Sequence, residues 1–126
     1  MIKILLVYTD DGLNRKFIES LENKETANVR TASSGGQALD IIRDGSTNLV
    51  IAAEKLPDMS GLTLIEKLVM TNPFINTALA SRLSEEDFHE TTEGLGILMS
   101  VPPDANEGFA DVLLSYLNKI SAPTAS

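Results

Sequence analysis

The most conspicuous chemical groups are the adjacent carboxylates of Asp10 and Asp11, which directly follow an apolar segment. Two carboxylates in this position could coordinate a divalent cation, because such ions prefer oxygen ligands. They could equally cap a following helix, where carboxylates accept backbone N–H groups and favour the helix dipole. Capping is the commoner role for two acids in front of a helix, and we interpret this pair in that way.

Few other residues carry groups that could catalyse a reaction. Cysteine is absent, which excludes disulfides, thiol nucleophiles and thiolate metal sites. The single histidine, His89, lies in a polar, acidic segment and is interpreted as a solvated surface residue. The pair Gly35-Gly36 could cradle a phosphate, but it follows the second predicted strand rather than the first. Neither G-x-G-x-x-G nor G-K-[ST] occurs, so a nucleotide site is not predicted.

Hydrophobic patterning predicts the elements that position these groups. Continuous apolar runs at 4–8 and 49–53 are typical of central parallel strands that are buried on both faces. Between them and after them, apolar residues recur at helical spacing, with one N-cap predicted within residues 33–36 and another at Ser84. Weaker strands are predicted at 28–31, 77–81 and 95–100.

The resulting order is β-α repeated five times. This order predicts an α/β fold with a five-stranded parallel sheet, doubly wound and flavodoxin-like, with helices on both faces. In such folds the working site lies at the carboxyl ends of the strands, near the point where strand order reverses. Those ends are predicted at 8–11, 33–36, 53–56, 81–83 and 101–104.

Length and charge limit the function classes. The 126 residues fit one domain, predicted over 1–121, with 122–126 as a small polar tail or the start of a linker. Eighteen acids against ten bases give a net charge of −8, so we expect no nucleic acid partner. The longest apolar run is too short to cross a membrane, and no signal peptide pattern is found. A cytoplasmic location is expected.

Three segments resemble the receiver domain of two-component response regulators, and the resemblance extends over residues 2–120. Residues 48–61 (NLVIAAEKLPDMSG) are similar to the family's D-L-V-hydrophobic-hydrophobic-D-x-x-M-P-x-M-D-G. Residues 94–104 (GLGILMSVPPD) are similar to G-A-x-D-Y-L-x-K-P-F-D, and residues 32–39 (ASSGGQAL) to A-x-x-G-x-x-A-L. The resemblance implies a receiver fold and a function in phosphorelay signal transduction.

The resemblance also implies a set of site residues, which this sequence has largely lost. A working receiver transfers a phosphoryl group from a histidine onto its own aspartate, aided by Mg²⁺ on two acids, a lysine and a hydroxyl. The nucleophile position corresponds to Ala53, eight residues before Gly61, and the lysine position to Val101. The switch hydroxyl corresponds to Ser81, or to Ala80 if the register slips by one. Leu98 takes the place of the aromatic residue that often follows this hydroxyl.

The positions that correspond to the family's two metal-binding acids are identified from their spacing to the core residues of the first helix. In the family, two core positions of the first helix lie ten and fourteen residues after the valine that precedes the acids. Counting from Val7 gives Phe17 and Leu21, both apolar. A register that made Asp10 and Asp11 the pair would instead bury two polar side chains, at a cost of several kcal/mol without partners.

The acid pair therefore corresponds to Tyr8 and Thr9, and Asp10 is the only candidate metal ligand near the crevice. We expect no metal site and no cofactor, although the resemblance implies Mg²⁺ for the family. The ring of Tyr8 is interpreted as filling the emptied pocket, with a role in contacting a ligand as the alternative. The resemblance further implies a cis peptide bond between Val101 and Pro102.

These residues predict a degenerate receiver that is not an enzyme and acts by protein–protein contact. The contact surface implied by the family is residues 84–120, and its partner is another signalling protein or an attached effector or kinase domain. A homodimer is an alternative. One rival hypothesis is phosphorylation at Glu54 or Ser81, although strand alternation predicts that Glu54 points away from the site. A second rival is an organic ligand in the vacated crevice near Tyr8, Ala53, Ser81 and Val101.

Overall fold

The computed structural model describes residues 2–9 and 12–121, and gives no account of the side chains of residues 120 and 121. Asp10, Asp11 and the predicted tail at 122–126 lie outside these residues. Strands and helices alternate along the chain. The strands are β1 (Ile2–Val7), β2 (Ala27–Ala32), β3 (Leu49–Ala52), β4 (Asn76–Ala80) and β5 (Met99–Val101). The helices are α1 (Arg15–Glu22), α2 (Gly35–Ile41), α3 (Gly61–Thr71), α4 (Glu85–Thr92) and α5 (Glu107–Ser121).

The five strands form one parallel sheet in the order β2-β1-β3-β4-β5. The predicted doubly wound fold is therefore confirmed. Strand order reverses between β1 and β3, because the chain leaves β1 toward one edge and returns to build the other. The loops after these two strands separate at this point, which leaves room for a site at the carboxyl edge.

Alternation of side chains in the central strands gives the sheet two hydrophobic faces. Ile4, Leu6 and Ile51 point to one face and pack with apolar residues of α1 and α5. Leu5 and Val50 point to the other face and pack with α2 and α3, and α4 joins this cluster through Phe88. Within residues 2–9 and 12–121, no helix is long and apolar enough to span a membrane.

Side-chain caps begin all five helices. The hydroxyls of Ser34 and Ser84 accept the Gln37 and Asp87 N–H groups at 3.1 and 3.2 Å, so both predicted caps are confirmed. Helix α1 begins later than the two acids predicted to cap it. Its N-cap is Asn14, whose Oδ1 accepts the Lys16 N–H at 2.9 Å, so that prediction was wrong.

The fifth strand is shorter than predicted. It covers Met99–Val101 rather than 95–100, because the chain before it passes through Gly94 and Gly96, which have φ values of +85° and +66°. This left-handed backbone interrupts an extended strand. The peptide bond between Val101 and Pro102 is trans, so the cis bond implied by the resemblance is also wrong.

The start of α3 lies unusually close to the end of β3. The Gly61 N–H donates to the Glu54 carbonyl at 3.0 Å. A Cβ at position 61 would lie 2.8 Å from Leu79 Cδ1 and closer still to the Ala53 carbonyl oxygen. Because that oxygen is backbone, it cannot move aside cheaply, and only glycine fits at this position.

We expect Gly61→Ala to lower the free energy of unfolding by about 1–3 kcal/mol or more, because the added methyl overlaps the backbone of residue 53. Urea unfolding monitored by circular dichroism measures the effect. The matched control is Gly108→Ala in α5, where the nearest atom to an added Cβ is Asn106 Oδ1 at 3.4 Å. This control should be neutral or more stable by about 0.5–1 kcal/mol. Equal effects of the two substitutions would contradict the close approach.

Candidate functional site

A crevice of about 690 Å³ opens at the carboxyl edge of the sheet, where the loops after β1, β3, β4 and β5 meet. Four residues predicted from the sequence to surround a site line this crevice: Tyr8, Thr9, Ser81 and Val101. They come from chain segments up to 93 positions apart, and the parallel sheet brings them together. Ala80, the alternative position for the switch hydroxyl, lies in the same lining and pairs with Val101 in the sheet.

Ala53 lies beneath this crevice rather than in its wall, since its side chain is completely buried. Its N–H donates to the Val7 carbonyl at 2.8 Å, which places it beside the end of β1. The loop after β1 passes directly over its methyl group, because a Cβ built on Gly12 would lie 3.0 Å from Ala53 Cβ. A larger side chain at position 53 would therefore have to displace this loop.

Ser81 and Val101 form part of the crevice wall and are both buried. The Ser81 N–H donates to the Val101 carbonyl at 3.1 Å, so the two residues are neighbours. The Ser81 hydroxyl accepts the Leu83 N–H at 3.1 Å and thus stabilises the turn that leaves β4. Leu98 is half-buried against the cluster of α1 and α5, while His89 is exposed on α4.

The placement of Glu54 differs from the prediction. Alternation along a strand would point its side chain away from the site, but Glu54 is exposed and lines the crevice. The reason is that β3 ends at Ala52, so the alternation no longer applies two residues later. Glu54 is the only carboxylate in the lining among the described residues.

Three basic residues of the crevice were missed by the sequence analysis. Arg15, Lys55 and Arg82 line it, and each follows the end of a different strand. Their positions after predicted strand ends were the available signal, since such loops share one edge of a parallel sheet. Lys55 and Arg82 have no basic neighbour in the sequence and Arg15 is followed only by Lys16, so no larger cluster of charge marks them.

The loop below the crevice is clamped to α2 by Asp58. Its two carboxylate oxygens accept the N–H groups of Gly35 and Gly36, each at 2.9 Å. These two hydrogen bonds, led by the one from Gly35, hold the pKa of the Asp58 carboxyl below its usual value. A Cβ at position 35 would lie 2.5 Å from Met59 Sδ, so a side chain there would require the flexible Met59 side chain to shift.

An open, doubly wound parallel sheet with a crevice at its switch point defines a broad class of α/β domains. Within that class, residues 4–100 match the family model described as response regulator receiver domain. The chain belongs to this family of two-component signalling domains, which confirms the resemblance seen in the sequence.

Relatives of established identity show where such domains occur. Sporulation initiation phosphotransferase F of Bacillus subtilis (strain 168) is 29% identical over 117 residues, which cover 91% of this chain and 93% of that protein. Sensor kinase CckA of Brucella abortus (strain 2308) is 29% identical over 108 residues, which cover 84% of this chain and 10% of the kinase. Domains similar to this one therefore occur both alone and within long signalling proteins.

Solved structures show the same fold. The non-phosphorylated HemR receiver domain from Leptospira biflexa superposes with a TM-score of 0.80 at 23% identity and covers 98% of both chains. A receiver domain from Methanospirillum hungatei JF-1 superposes with a TM-score of 0.78 at 22% identity and covers 94% of this chain and 95% of that one.

The residues present do not fit the Mg²⁺ ion that the family uses. Mg²⁺ requires near-octahedral oxygen ligands, including one or two carboxylates. The positions assigned to its ligands hold Tyr8, Thr9 and the methyl of Ala53. Within residues 2–9 and 12–121, no group of three acidic, histidine or cysteine side chains could hold a metal ion. No step through a metal follows from this site.

Ala53→Asp is expected to lower the free energy of unfolding by about 1–3 kcal/mol, because it places a carboxylate in a fully buried site under the Gly12 loop. Urea unfolding at neutral pH measures this loss. Ser115→Asp is the matched control, since it adds the same charge at an exposed position of α5 and should change stability by less than about 0.5 kcal/mol. A neutral or stabilising effect of Ala53→Asp would show that water reaches the side chain at position 53 more readily than its burial indicates.

Proposed function

We propose that this receiver domain does not accept a phosphoryl group and acts instead by protein–protein contact in one fixed conformation. The observation that carries the proposal is the buried methyl of Ala53 at the carboxyl end of β3. A methyl group has no lone pair to attack phosphorus, so this position cannot form an acyl phosphate.

The assignment of Ala53 to the nucleophile position is supported by backbone contacts as well as by sequence spacing. The Ala53 N–H is bonded to the Val7 carbonyl on one side, and the close approach of Gly61 fixes its carbonyl on the other. A slip of one residue would place a side chain where only Gly61 fits. The spacing of eight residues between Ala53 and Gly61, which matches the family's nucleophile-to-glycine spacing, therefore supports the assignment.

Replacement of the neighbouring groups supports the same proposal. Val101, in the lysine position, is buried and offers no positive charge to a phosphoryl oxygen. Tyr8 is half-buried and packs at the end of the apolar cluster beneath α1 and α5. Of the reactive set, only the hydroxyl of Ser81 remains, and it is engaged by the Leu83 N–H.

The proposed contact surface is formed by residues 84–120, which include α4, β5 and α5. Val112 and Tyr116 lie one turn apart on α5 and are 57% and 45% exposed, so they present apolar area to a partner. The same range of residues carries five exposed acids on and just after α4: Glu85, Glu86, Asp87, Glu90 and Glu93. This charge disfavours a second copy of the chain and favours a partner with a basic surface.

The partner proposed for this surface is another signalling protein or a domain attached to the same polypeptide. The matched relatives support this, because one of them spans only 10% of a sensor kinase. With Ala53 in place of a phosphoacceptor and Leu98 in place of the switch aromatic, no phosphoryl group can bias the surface between two states. Binding is therefore constitutive in this proposal.

Treatment with acetyl phosphate and millimolar Mg²⁺, or with beryllofluoride, should leave the domain unchanged. We expect the intact mass to show no added phosphoryl group and the amide NMR signals of residues 81–101 to stay in place. Mg²⁺ alone should likewise leave the signals of residues 8, 9 and 53 and the melting temperature unchanged, because none of the three positions assigned to its ligands carries a carboxylate.

The rival outcome has a specific structural basis, since Glu54 and Ser81 both line the crevice. An added phosphoryl mass that disappears in Glu54→Gln or Ser81→Ala would establish an alternative acceptor and refute the proposal. Glu66→Gln on α3 serves as the control, because Glu66 is exposed and lies outside the crevice lining.

Replacing both Val112 and Tyr116 by serine should weaken partner binding at least tenfold, because exposed aromatic residues at contact surfaces often dominate affinity. The free energy of unfolding should change by less than about 1 kcal/mol for the pair, since both side chains are largely exposed. Affinity is measured by titration calorimetry against a partner captured from the native host by crosslinking.

The matched control replaces Met70 and Phe74, which are 88% and 90% exposed at the far end of α3. Their replacement by serine removes comparable apolar surface outside residues 84–120 and should leave affinity intact. The contact surface is wrongly placed if the two double variants weaken binding equally, or if only the second one does.

A further inference from the structure

The described residues that line the crevice at the carboxyl edge carry a net charge opposite in sign to that of the whole chain. The chain carries a net charge of −8, with ten basic residues among 126. Three of those ten, Arg15, Lys55 and Arg82, line this one crevice, against the single carboxylate of Glu54 among the described lining residues. No salt bridge joins any of the three cations to a carboxylate within residues 2–9 and 12–121.

The three cations approach the crevice from different sides. Arg15 begins α1, Lys55 lies in the loop after β3, and Arg82 lies in the loop after β4. A cleft lined by charge of one sign concentrates the electrostatic potential within it and attracts counter-ions. Arginine in particular presents a planar fork of donors that matches carboxylate and phosphate oxygens. Separated cations favour a ligand whose negative groups are also separated.

The remaining surface of the crevice is suited to the organic part of a ligand. Pro102 and Pro103 form an apolar wall, while Leu13, Ile18 and Val101 line the crevice with 5% or less of their surface exposed. The volume of about 690 Å³ is in the range of small-molecule sites in proteins. Tyr8, Thr9 and Ser81 add hydroxyl groups that can orient a bound molecule.

We propose that this crevice binds a small organic polyanion, with two or more carboxylate or phosphate groups held by Arg15, Lys55 and Arg82 and its carbon skeleton against the apolar wall. The mode of binding is noncovalent and involves no transfer of a group. It is independent of the proposed absence of phosphoryl transfer, because neither Ala53 nor a metal takes part.

The test uses citrate and fructose 1,6-bisphosphate as probes, so that a carboxylate and a phosphate source are compared at matched ionic strength. Each is titrated into the isotopically labelled domain, and amide NMR shifts and melting temperature are recorded. We expect at least one probe to cause saturable shifts centred on residues 8, 9, 15, 55, 81 and 82 and to raise the melting temperature. The intact mass should stay unchanged.

Substitution identifies the groups responsible. Arg82→Gln and Arg15→Gln should each weaken binding about tenfold or more, since each removes a charged hydrogen-bond donor. Lys67→Gln on α3 is the matched control, because Lys67 is exposed and lies outside the crevice lining. It should leave the affinity unchanged.

Three outcomes would overturn the proposal. The first is that neither probe causes saturable shifts at concentrations up to about 10 mM, which is on the order of the weakest dissociation constant that would count as binding. The second is equal weakening by Lys67→Gln and Arg82→Gln, which would indicate nonspecific charge. The third is binding of inorganic phosphate as tight as that of the organic probes, which would show that the apolar wall contributes nothing.

Discussion

The close packing of α3 against the carboxyl end of β3 is the constraint on which the rest of the carboxyl edge depends. Gly61 donates its N–H to the Glu54 carbonyl and approaches the Ala53 carbonyl so closely that no side chain fits at position 61. This contact ends β3, sets the direction of the loop that carries Glu54 and Lys55, and holds residue 53 in register with β1. The two hydrogen bonds that the Asp58 carboxylate accepts from the N–H groups at the start of α2 then hold the far end of the same loop. Position 53 is therefore defined by backbone contacts, whatever side chain it carries.

The replacement of acids at this edge changes both its packing and its charge. In a working receiver, several carboxylates converge here and repel one another unless a cation is bound. In the proposed assignment a methyl, a phenol ring and a threonine take those positions, which would remove that repulsion and add apolar contact. The basic residues around the rim are then balanced by one described carboxylate, Glu54. The proposed absence of phosphoryl transfer and the proposed anion site thus both depend on the residues that occupy this edge.

The proposed contact surface of α4, β5 and α5 has a different physical basis. Helix α4 is anchored on the sheet through buried Phe88 and Thr92, while its acids face solvent. The segment after it turns through two glycines with positive φ, which shortens β5 and places Ile97 and Leu98 outside the strand. The proposed contact surface therefore combines exposed acids of α4 with exposed apolar residues of α5. The charges would select the partner, and the apolar area buried on binding would contribute affinity.

The sequence by itself determined the order of elements, and its spacing supports the proposed register of the site. Fully apolar runs such as those ending at Val7 and Ala52 can only be central strands, and the fixed spacing from Ala53 to Gly61 identifies the loop between β3 and α3. Serine caps such as Ser84 act within one turn of helix, so local sequence is sufficient to predict them. The family and its fold followed from these local patterns.

Only the tertiary structure decided which side chains share the crevice. Glu54 turns into it because β3 ends two residues earlier, and Asn14 caps α1 because the loop after β1 is longer than the position of the acids suggested. Arg15, Lys55 and Arg82 are each unremarkable in the sequence, since nothing local distinguishes one exposed basic residue from another. Their convergence depends on the parallel order β1-β3-β4, which brings the ends of strands far apart in the chain to one edge. Spatial proximity of that kind results from long-range strand pairing, which local spacing and composition do not predict.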